Sequence, residues 1–287
     1  MPRWRNWQTR MTQDHVGLHP CGFKSRPRHH GPDISGLIFI LEATSLEKFT
    51  LFDLTISTPT LIELVEILSR RISNNEKTFV VTANASIIVK TTEDERYKFA
   101  VQNADIIVPD GIGVIWALKK IYRRKAVRVT GIDTMMALCD KARASGWKIY
   151  LLGAKIDVVE KAARNLTEKF GNIVCGYHHG YFEKEGPLEQ IKQAKPDLIF
   201  VGMGVPKQEI WIYENFRKTT AKLAMGVGGS FDVISGIKKR APNFIQRARL
   251  EWLYRFLQSP LEKKNVPKDI SKFIGLVLSQ AKQYKYR

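Results

Sequence analysis

The sequence predicts a doubly wound α/β fold, and three observations support this prediction. Short apolar runs of strand length alternate with amphipathic stretches of helical length from residue 50 onward. The runs are apolar throughout, as in strands that are buried on both faces of a parallel sheet. Polar or glycine-rich turns follow the runs. We therefore expect a Rossmann-like, mostly parallel sheet with helices on both faces and right-handed crossovers.

The predicted elements follow in order along the chain. Strands are predicted at Phe79–Val81, Ile106–Val108, Ile149–Leu152, Leu198–Val201 and Leu223–Val227, with a weaker candidate at Ile173–Cys175. Apolar residues recur at helical spacing in the stretches between them. These spacings predict helices at Thr60–Ile72, 112–121, 133–144, Val158–Phe170 and 207–218, and a further helix is expected to start near Ser86.

Composition excludes several classes of protein. Hydrophobic residues make up 44% of the 287 residues, which is enough for a sizeable core and too many for a disordered chain. The longest apolar runs, such as Leu37–Leu41, fall far short of the roughly 18 residues that a membrane-spanning helix needs. The three cysteines are widely spaced and odd in number, which indicates a reducing compartment and no metal-ligand pattern.

The net charge of +18 is concentrated in the last fifty residues. Residues 238–287 hold thirteen Lys/Arg and three Asp/Glu, whereas residues 1–36 hold six and two. These segments contribute +10 and +4, so the 201 residues between them contribute only +4. A basic tail of this kind implies an anionic partner, which is a nucleic acid, an anionic membrane surface or a phosphorylated substrate.

The first 36 residues differ in character from the rest of the chain. They contain four of the six histidines and show neither helical nor strand periodicity. The run Cys21–Pro27 resembles the translation of the T-arm of a transfer-RNA gene. We therefore interpret 1–36 as a non-native leader that follows a misplaced start codon, with the native protein beginning within 37–50. The alternative is a basic nucleic-acid-binding arm.

Polar residues follow two neighbouring predicted strands. Ligands of open parallel sheets bind beyond the carboxyl ends of the strands, so these residues are candidates for a binding crevice. Asp110, in a Pro-Asp-Gly turn, is either the cap of helix 112–121 or a general base. Thr82 and Asn84 either cap the helix that starts near Ser86 or hydrogen-bond a polyhydroxylated ligand.

The sequence contains neither a complete dinucleotide-binding glycine motif nor a Walker lysine motif. The turn Gly202–Gln208 opens a helix and either binds a phosphate or serves as a plain capping turn. No Asp-x-Asp pair is present, and Glu93 and Glu95 are interpreted as solvated residues within a helix. A diphosphate ligand would then need basic side chains such as Arg128. The pair His178-His179 has no third ligand nearby in the sequence, so we assign it a loop or packing role.

The carboxyl-terminal segment predicts two basic amphipathic helices. One spans Phe244–Leu257, and the other continues from Ile270 to Ala281 after Pro267. Tryptophan and tyrosine among basic residues are typical of a membrane-surface segment. The alternative is a pair of helices that pack on the body and expose a solvated basic face.

The order of the motifs resembles the WecG/TagA/CpsF family of bacterial glycosyltransferases over about residues 50–260. The motifs, in order, are Thr82-Ala83-Asn84, Pro109-Asp110-Gly111-Ile112-Gly113, Arg128-Val129-Thr130-Gly131, Leu152-Gly153-Ala154, Gly180-Tyr181-Phe182, Gly202–Gln208 with Glu209 and Trp211, Gly226–Asp232, and Arg240-Ala241-Pro242. The resemblance implies an α/β catalytic domain at 45–237 and a membrane-associating appendage at 238–287.

The resemblance also implies an inverting transferase that needs no metal or other cofactor. Its substrates would be a UDP-sugar donor, with N-acetylmannosamine as the sugar, and N-acetylglucosamine on undecaprenyl diphosphate as the acceptor. Asp110 corresponds to the family's proposed base, and Thr82, Asn84, Arg128 and Gln208 fall on pocket positions. Gly153, Gly204, Gly229 and Asp232 complete the expected crevice, and Arg240, Arg247 and Arg255 are the best matches for arginines that the appendage brings over it.

This reading places the protein in the cytoplasm, peripheral on the inner face of the plasma membrane, in cell-surface polysaccharide or teichoic acid synthesis. It leaves a homo-oligomer possible and includes no nucleic-acid partner. Alternatives within the family are transfer of N-acetylmannosaminuronic acid or of glucose from UDP. The alternatives outside it are a basic nucleic-acid-binding protein and a nucleotide-dependent oxidoreductase.

Overall fold

A computed structural model describes residues 46–183, 186–242, 244–245, 250–260 and 265–285, without the side chains of Arg255 and Lys285. These residues belong to one compact unit. The predicted leader at 1–36 and the position of Arg247 lie outside the described residues.

An eight-stranded sheet forms the centre of the described part of the chain. Its order is β1-β2-β4-β3-β8-β7-β5-β6, and β1 alone among these strands is antiparallel to its neighbour. The strands are β1 (Lys48–Leu51), β2 (Leu54–Ser57), β3 (Thr78–Ala83), β4 (Ile106–Pro109), β5 (Ile149–Gly153), β6 (Val174–His178), β7 (Leu198–Gly202) and β8 (Leu223–Gly226).

Helices cover both faces of the sheet. They are α1 (Leu61–Ser73), α2 (Ala85–Thr91), α3 (Glu95–Gln102), α4 (Ile112–Tyr122), α5 (Gly131–Ser145), α6 (Ile156–Phe170), α7 (Leu188–Ala194), α8 (Lys207–Asn215), α9 (Ser230–Ile234), α10 (Glu251–Gln258) and α11 (Val266–Lys285). Val81 and Val201 pack with residues of α2, α4, α8 and α11 on one face, while Val80 and Phe200 pack with α1, α5 and α6 on the other. This arrangement confirms the predicted fold class.

All six predicted strands are present, and the β1–β2 hairpin was not predicted. Its strands have four residues each, and its turn places Phe52 and Asp53 at positive φ values of 51° and 61°. Two-residue hairpin turns of this kind usually contain Asn-Gly or Asp-Gly. A Phe-Asp turn gives no such signal, which is why the hairpin was not predicted from the sequence.

Most helix predictions are confirmed, with three corrections. The stretch 207–218 divides into α8 and a short 3-10 turn at Phe216–Lys218. Glu93 lies between α2 and α3 rather than within a helix, and it pairs with Lys272. The predicted helix Phe244–Leu257 is not continuous, because the helix α10 begins only at Glu251.

The last helix, α11, is anchored in the body of the protein. Phe273 and Val277 are fully buried among residues that include those of α2 and α4. A Cβ atom at Gly113 would lie 3.2 Å from the Phe273 ring, so α11 rests directly on the first turn of α4. The alternative in which the tail packs on the body therefore holds for this helix.

Candidate active site

The polar turns predicted from the sequence meet at one edge of the sheet. Parallel pairing brings Ala83 beside Pro109, Gly153 beside Gly202, and Val201 beside Gly226. These pairs lie at the carboxyl ends of β3, β4, β5, β7 and β8. The turns that follow therefore lie together at the edge where open parallel sheets bind their ligands, and we call this place the crevice.

Asp110 follows β4 at this edge and is half-buried. Its backbone N–H donates to the Ala83 carbonyl at 2.9 Å, and its Oδ2 atom lies 3.5 Å from the backbone nitrogen of Gly131, the first residue of α5. The N-cap residue of α4 is Gly111, which has no side chain to cap the helix. The N-cap position of α4 therefore falls on Gly111, one residue after Asp110.

The turns after β3 and β4 are held in close contact. A Cβ atom on Gly111 would lie 3.1 Å from the Cβ atom of Asn84, so a larger residue would push the two turns apart. Asn84 caps α2, because its Oδ1 atom accepts the Ile87 N–H at 3.1 Å. The capping alternative is confirmed for Asn84. This cap uses only the oxygen of the amide, and the hydrogen bond from Asn84 to a polyhydroxylated ligand stays a prediction.

Thr82 is not a cap but a link between strands. Its buried hydroxyl lies 3.5 Å from the carbonyl oxygen of Gly226 at the end of β8. A Cβ atom on Gly131 would lie 3.2 Å from the same hydroxyl. Thr82 therefore lies where β3, β8 and the start of α5 meet, close to the Asp110 turn.

Gln208 joins the turns after β7 and β8. Its Oε1 atom accepts the backbone N–H of Gly204 at 3.2 Å and that of Gly228 at 3.0 Å. Its Nε2 atom donates to Oε1 of Glu209 at 2.6 Å, and the side chain is buried. These contacts are internal to the protein, so direct binding of a substrate by Gln208 stays a prediction.

Sequence reasoning missed two residues behind Gln208. Glu209 and Tyr97 are both fully buried, and the Tyr97 hydroxyl donates to the Glu209 Oε2 atom at 3.1 Å. Burial raises the pKa of Glu209 to about 7, and it raises the pKa of Tyr97 as well. Glu209 belongs to the motif that begins at Gly202. Its partner, Tyr97, is 112 residues away in the sequence, so no local signal connected the two.

Two glycines shape the floor of the crevice. Gly153 has a φ of 138°, and a Cβ atom there would lie 2.4 Å from the carbonyl carbon of Gly202, so the backbones after β5 and β7 are in direct contact. Gly204, with a φ of 76°, adopts a left-handed conformation that favours glycine. Gly229 precedes α9, and Asp232 within α9 forms an ion pair with Lys238 at 3.3 Å.

The predicted phosphate-binding arginines are paired with carboxylates in this structure. Arg128 lies 2.8 Å from Glu251 of α10, and Arg240 lies 2.8 Å from Asp133 of α5. Both pairs are partly buried and connect the tail to the body. Arg255 belongs to α10, but its side chain is not described, so its predicted role remains untested.

The described residues contain no group of three or more His, Cys, Asp and Glu side chains placed to hold a metal ion. Metal independence itself stays a prediction. His178, the last residue of β6, contacts His179 in the turn that follows, and the His179 ring accepts the Tyr181 backbone N–H at 3.2 Å. Across the same described ranges, we find no helix with the length and apolar character needed to cross a membrane.

Comparison with known proteins identifies the family. The model of the glycosyl transferase WecG/TagA/CpsF family matches residues 49–287. An N-acetylglucosaminyldiphosphoundecaprenol N-acetyl-beta-D-mannosaminyltransferase from Staphylococcus aureus strain NCTC 8325 is 37% identical over 220 residues, which cover 75% of this chain and 87% of the relative. The protein of the same name from strain MRSA252 is 36% identical over 220 residues. The chain therefore belongs to the WecG/TagA/CpsF family of glycosyl transferases.

Proposed function

We propose that this protein is an inverting N-acetylmannosaminyltransferase. It transfers N-acetylmannosamine from UDP to N-acetylglucosamine on undecaprenyl diphosphate, in the synthesis of a cell-surface polysaccharide or teichoic acid. The substrates named by the S. aureus relatives support the acceptor and the sugar. The observation that carries the proposal is the position of Asp110, a half-buried carboxylate at the crevice edge whose Oδ2 atom lies beside the first residue of α5.

Asp110 acts as the general base of a single displacement. The acceptor hydroxyl attacks the anomeric carbon and forms the new glycosidic bond, while the bond from that carbon to the diphosphate oxygen breaks. UDP leaves with the electron pair, and the hydroxyl proton passes to the Asp110 carboxylate. One displacement inverts the configuration of the anomeric carbon.

Arginine side chains balance the charge that grows on the leaving diphosphate. Guanidinium groups bind phosphate oxygens in a forked geometry and stabilise the transition state without a metal ion. Arg128 and Arg240 are the candidates, and each is paired here with a carboxylate. We expect the donor diphosphate to replace Glu251 as the partner of Arg128.

The tail brings the enzyme to its lipid-linked acceptor. Phe244 and Leu257 are 72% and 68% exposed, and the segment 238–287 carries a net charge of +10. Exposed apolar side chains among basic residues fit the headgroup region of an anionic membrane. The protein would then lie on the inner face of the plasma membrane.

The assay measures UDP release from a panel of UDP-sugars, with and without the lipid-linked acceptor, in EDTA. We expect acceptor-dependent release from UDP-N-acetylmannosamine. Release only from the uronic acid or from the glucose donor would correct the sugar, and no acceptor-dependent release from any donor would refute the proposal. Release that stops in EDTA and returns with a divalent cation would refute metal independence.

The role of Asp110 is tested by Asp110→Asn. We expect turnover to fall at least a hundredfold, the lower range for loss of a general base, with UDP affinity within about threefold of wild type. Asp140→Asn, on the exposed face of α5, is the matched control and should behave as wild type. An equal loss of turnover and UDP affinity in Asp110→Asn would indicate a structural role instead.

A further inference from the structure

The amide of Gln208 has only one orientation that satisfies its surroundings. Its oxygen faces two backbone N–H groups, those of Gly204 and Gly228, which only donate. Its nitrogen faces a carboxylate oxygen of Glu209, which accepts when ionised. If the amide flipped, its NH₂ group would face two donors and its oxygen would face a carboxylate, so Glu209 fixes which way the amide points.

Tyr97 in turn fixes Glu209. The second carboxylate oxygen accepts the Tyr97 hydroxyl, so each Glu209 oxygen holds a different donor. Tyr97 lies in α3 and Glu209 in the first turn of α8, two helices that pack together. The chain of contacts therefore runs from α3 through α8 to the two turns at the crevice.

The end of β8 leaves space for this chain of hydrogen-bonded side chains. A Cβ atom on Gly226 would lie 2.7 Å from Nε2 of Gln208 and 3.1 Å from Oε1 of Glu209. Gly226 is also the residue whose carbonyl oxygen faces the Thr82 hydroxyl. Polar side chains thus lie against the backbone of the strand that leads into the crevice.

We propose that Glu209 and Tyr97 are positioning residues, which orient the Gln208 amide so that it clamps the turns after β7 and β8 in the shape that receives the donor diphosphate. The part that concerns the diphosphate rests on the proposed function. The clamp itself does not, because it is defined by hydrogen bonds to Gly204 and Gly228.

A purely packing role does not account for a carboxylate at this position. Burial destabilises an ionised carboxyl group strongly, whereas a leucine of similar volume would fill the space without that cost. Tyr97 is the titratable group that touches Glu209, and Asp94 is the charged group that acts on Tyr97. The segments β3, β7 and β8, which pack against α8, contain no titratable residue. The other elements that pack against α8 carry cations with partners elsewhere: in α3, Arg96 pairs with Glu214 and Lys98 with Asp53, and in the 3-10 turn, Arg217 pairs with Asp105 and Lys218 donates to the Asn215 side chain. Glu209 itself accepts hydrogen bonds from Gln208 and Tyr97.

The experiment compares Glu209→Leu, which removes the acceptor, with Glu209→Gln, which retains one. Tyr97→Phe removes only the hydroxyl and serves if Glu209→Leu does not fold. Glu214→Gln, at the surface of the same helix and paired with Arg96, is the matched control. The readouts are UDP affinity and hydrogen exchange of the Gly204 and Gly228 amides, measured in the full chain.

We expect Glu209→Leu to weaken UDP binding about tenfold and to accelerate exchange selectively at Gly204 and Gly228. Glu209→Gln should stay within about threefold of wild type, Tyr97→Phe should shift both readouts two- to threefold in the same direction, and the control should not change. The proposal is overturned if folded Glu209→Leu matches wild type, if Glu209→Gln is as defective as Glu209→Leu, or if exchange accelerates uniformly through the core. It is also overturned if Glu209→Leu fails to fold and Tyr97→Phe matches wild type.

The two readouts separate this proposal from the proposed function. A wild-type protein that does not bind UDP would refute the donor site and with it the diphosphate part of the inference. Exchange at the two glycine amides would still decide whether Glu209 and Tyr97 hold the clamp.

Discussion

The charge of Glu209 makes the stability of the protein depend on pH, and Glu209→Gln should remove that dependence. Burial raises the pKa of this carboxyl group from an ordinary 4.5 to about 7 in the folded state. Between these values the folded state binds a proton that the unfolded state has lost. The free energy of unfolding therefore falls as the pH rises through this window, and the full cost is present above about pH 7.

The size of the effect follows from the difference between the two pKa values. Each pKa unit corresponds to 1.36 kcal/mol, so a rise from 4.5 to about 7 gives an upper limit of about 3 kcal/mol. At pH 8, Glu209→Gln should therefore be more stable than wild type by up to about 3 kcal/mol. At pH 5 the difference should be less than about 1 kcal/mol, because this pH lies only about half a unit above the ordinary pKa of 4.5 that the carboxyl group has in the unfolded state.

Urea unfolding of both proteins at pH 5, 6, 7 and 8 measures this difference in stability. For a domain of this size, the difference at pH 8 corresponds to a change in Tm of at most roughly 6–12 °C. Glu214→Gln, whose carboxylate is at the surface, should show no comparable change with pH. A Glu209→Gln protein that is less stable than wild type at pH 8 would refute a destabilising charge at Glu209. A stability difference that is the same at every pH would refute it as well.

Three further predictions concern the tail. Glu251→Gln should strengthen UDP binding roughly two- to fivefold at low salt and less at high salt, because the ion pair with Arg128 would compete with the diphosphate. Calorimetry at two ionic strengths tests this prediction, and an unchanged UDP affinity would contradict it. Phe273→Ala should lower the free energy of unfolding, measured by urea denaturation, by about 3–5 kcal/mol, because the ring is fully buried. A change below about 1 kcal/mol would show that α11 is not anchored as described. Leu257→Glu should reduce flotation of the protein with anionic vesicles, whereas Ile62→Glu, which changes an equally exposed residue of α1, should not. Equal flotation of the two variants would argue against membrane contact by α10.

The sequence predicted the parts of the structure that have local signals. Apolar runs identified six strands because parallel strands are buried on both faces, and the polar turns behind them located the crevice. The β1–β2 hairpin was missed because its Phe-Asp turn lacks the usual turn residues. The role of Asn84 as a cap could be foreseen as an alternative but not decided, because an amide that follows a strand suits a cap and a ligand equally well.

Contacts between distant residues had no such signal. Tyr97 and Glu209 are 112 residues apart, and Arg128 and Glu251 are 123 apart. Each pair depends on which helices the sheet order brings together, and a single sequence does not specify that order. The sequence therefore supplied Arg128 as a candidate for phosphate binding, but it could not show that a carboxylate from the tail already holds the guanidinium group.

The two parts of the tail are attached to the body in different ways, and this difference decides how its role should be tested. The helix α11 buries Phe273 against the first turn of α4, which directly follows the Asp110 turn. The helix α10 is connected through the Glu251 ion pair and exposes Leu257. Deletion of 238–287 would remove both, so lost activity could follow from an unsupported Asp110 turn as readily as from lost membrane contact. Substitutions confined to exposed residues of α10 leave the α11 anchor intact, and they alone separate the proposed recruitment to the membrane from the support of the proposed base, Asp110.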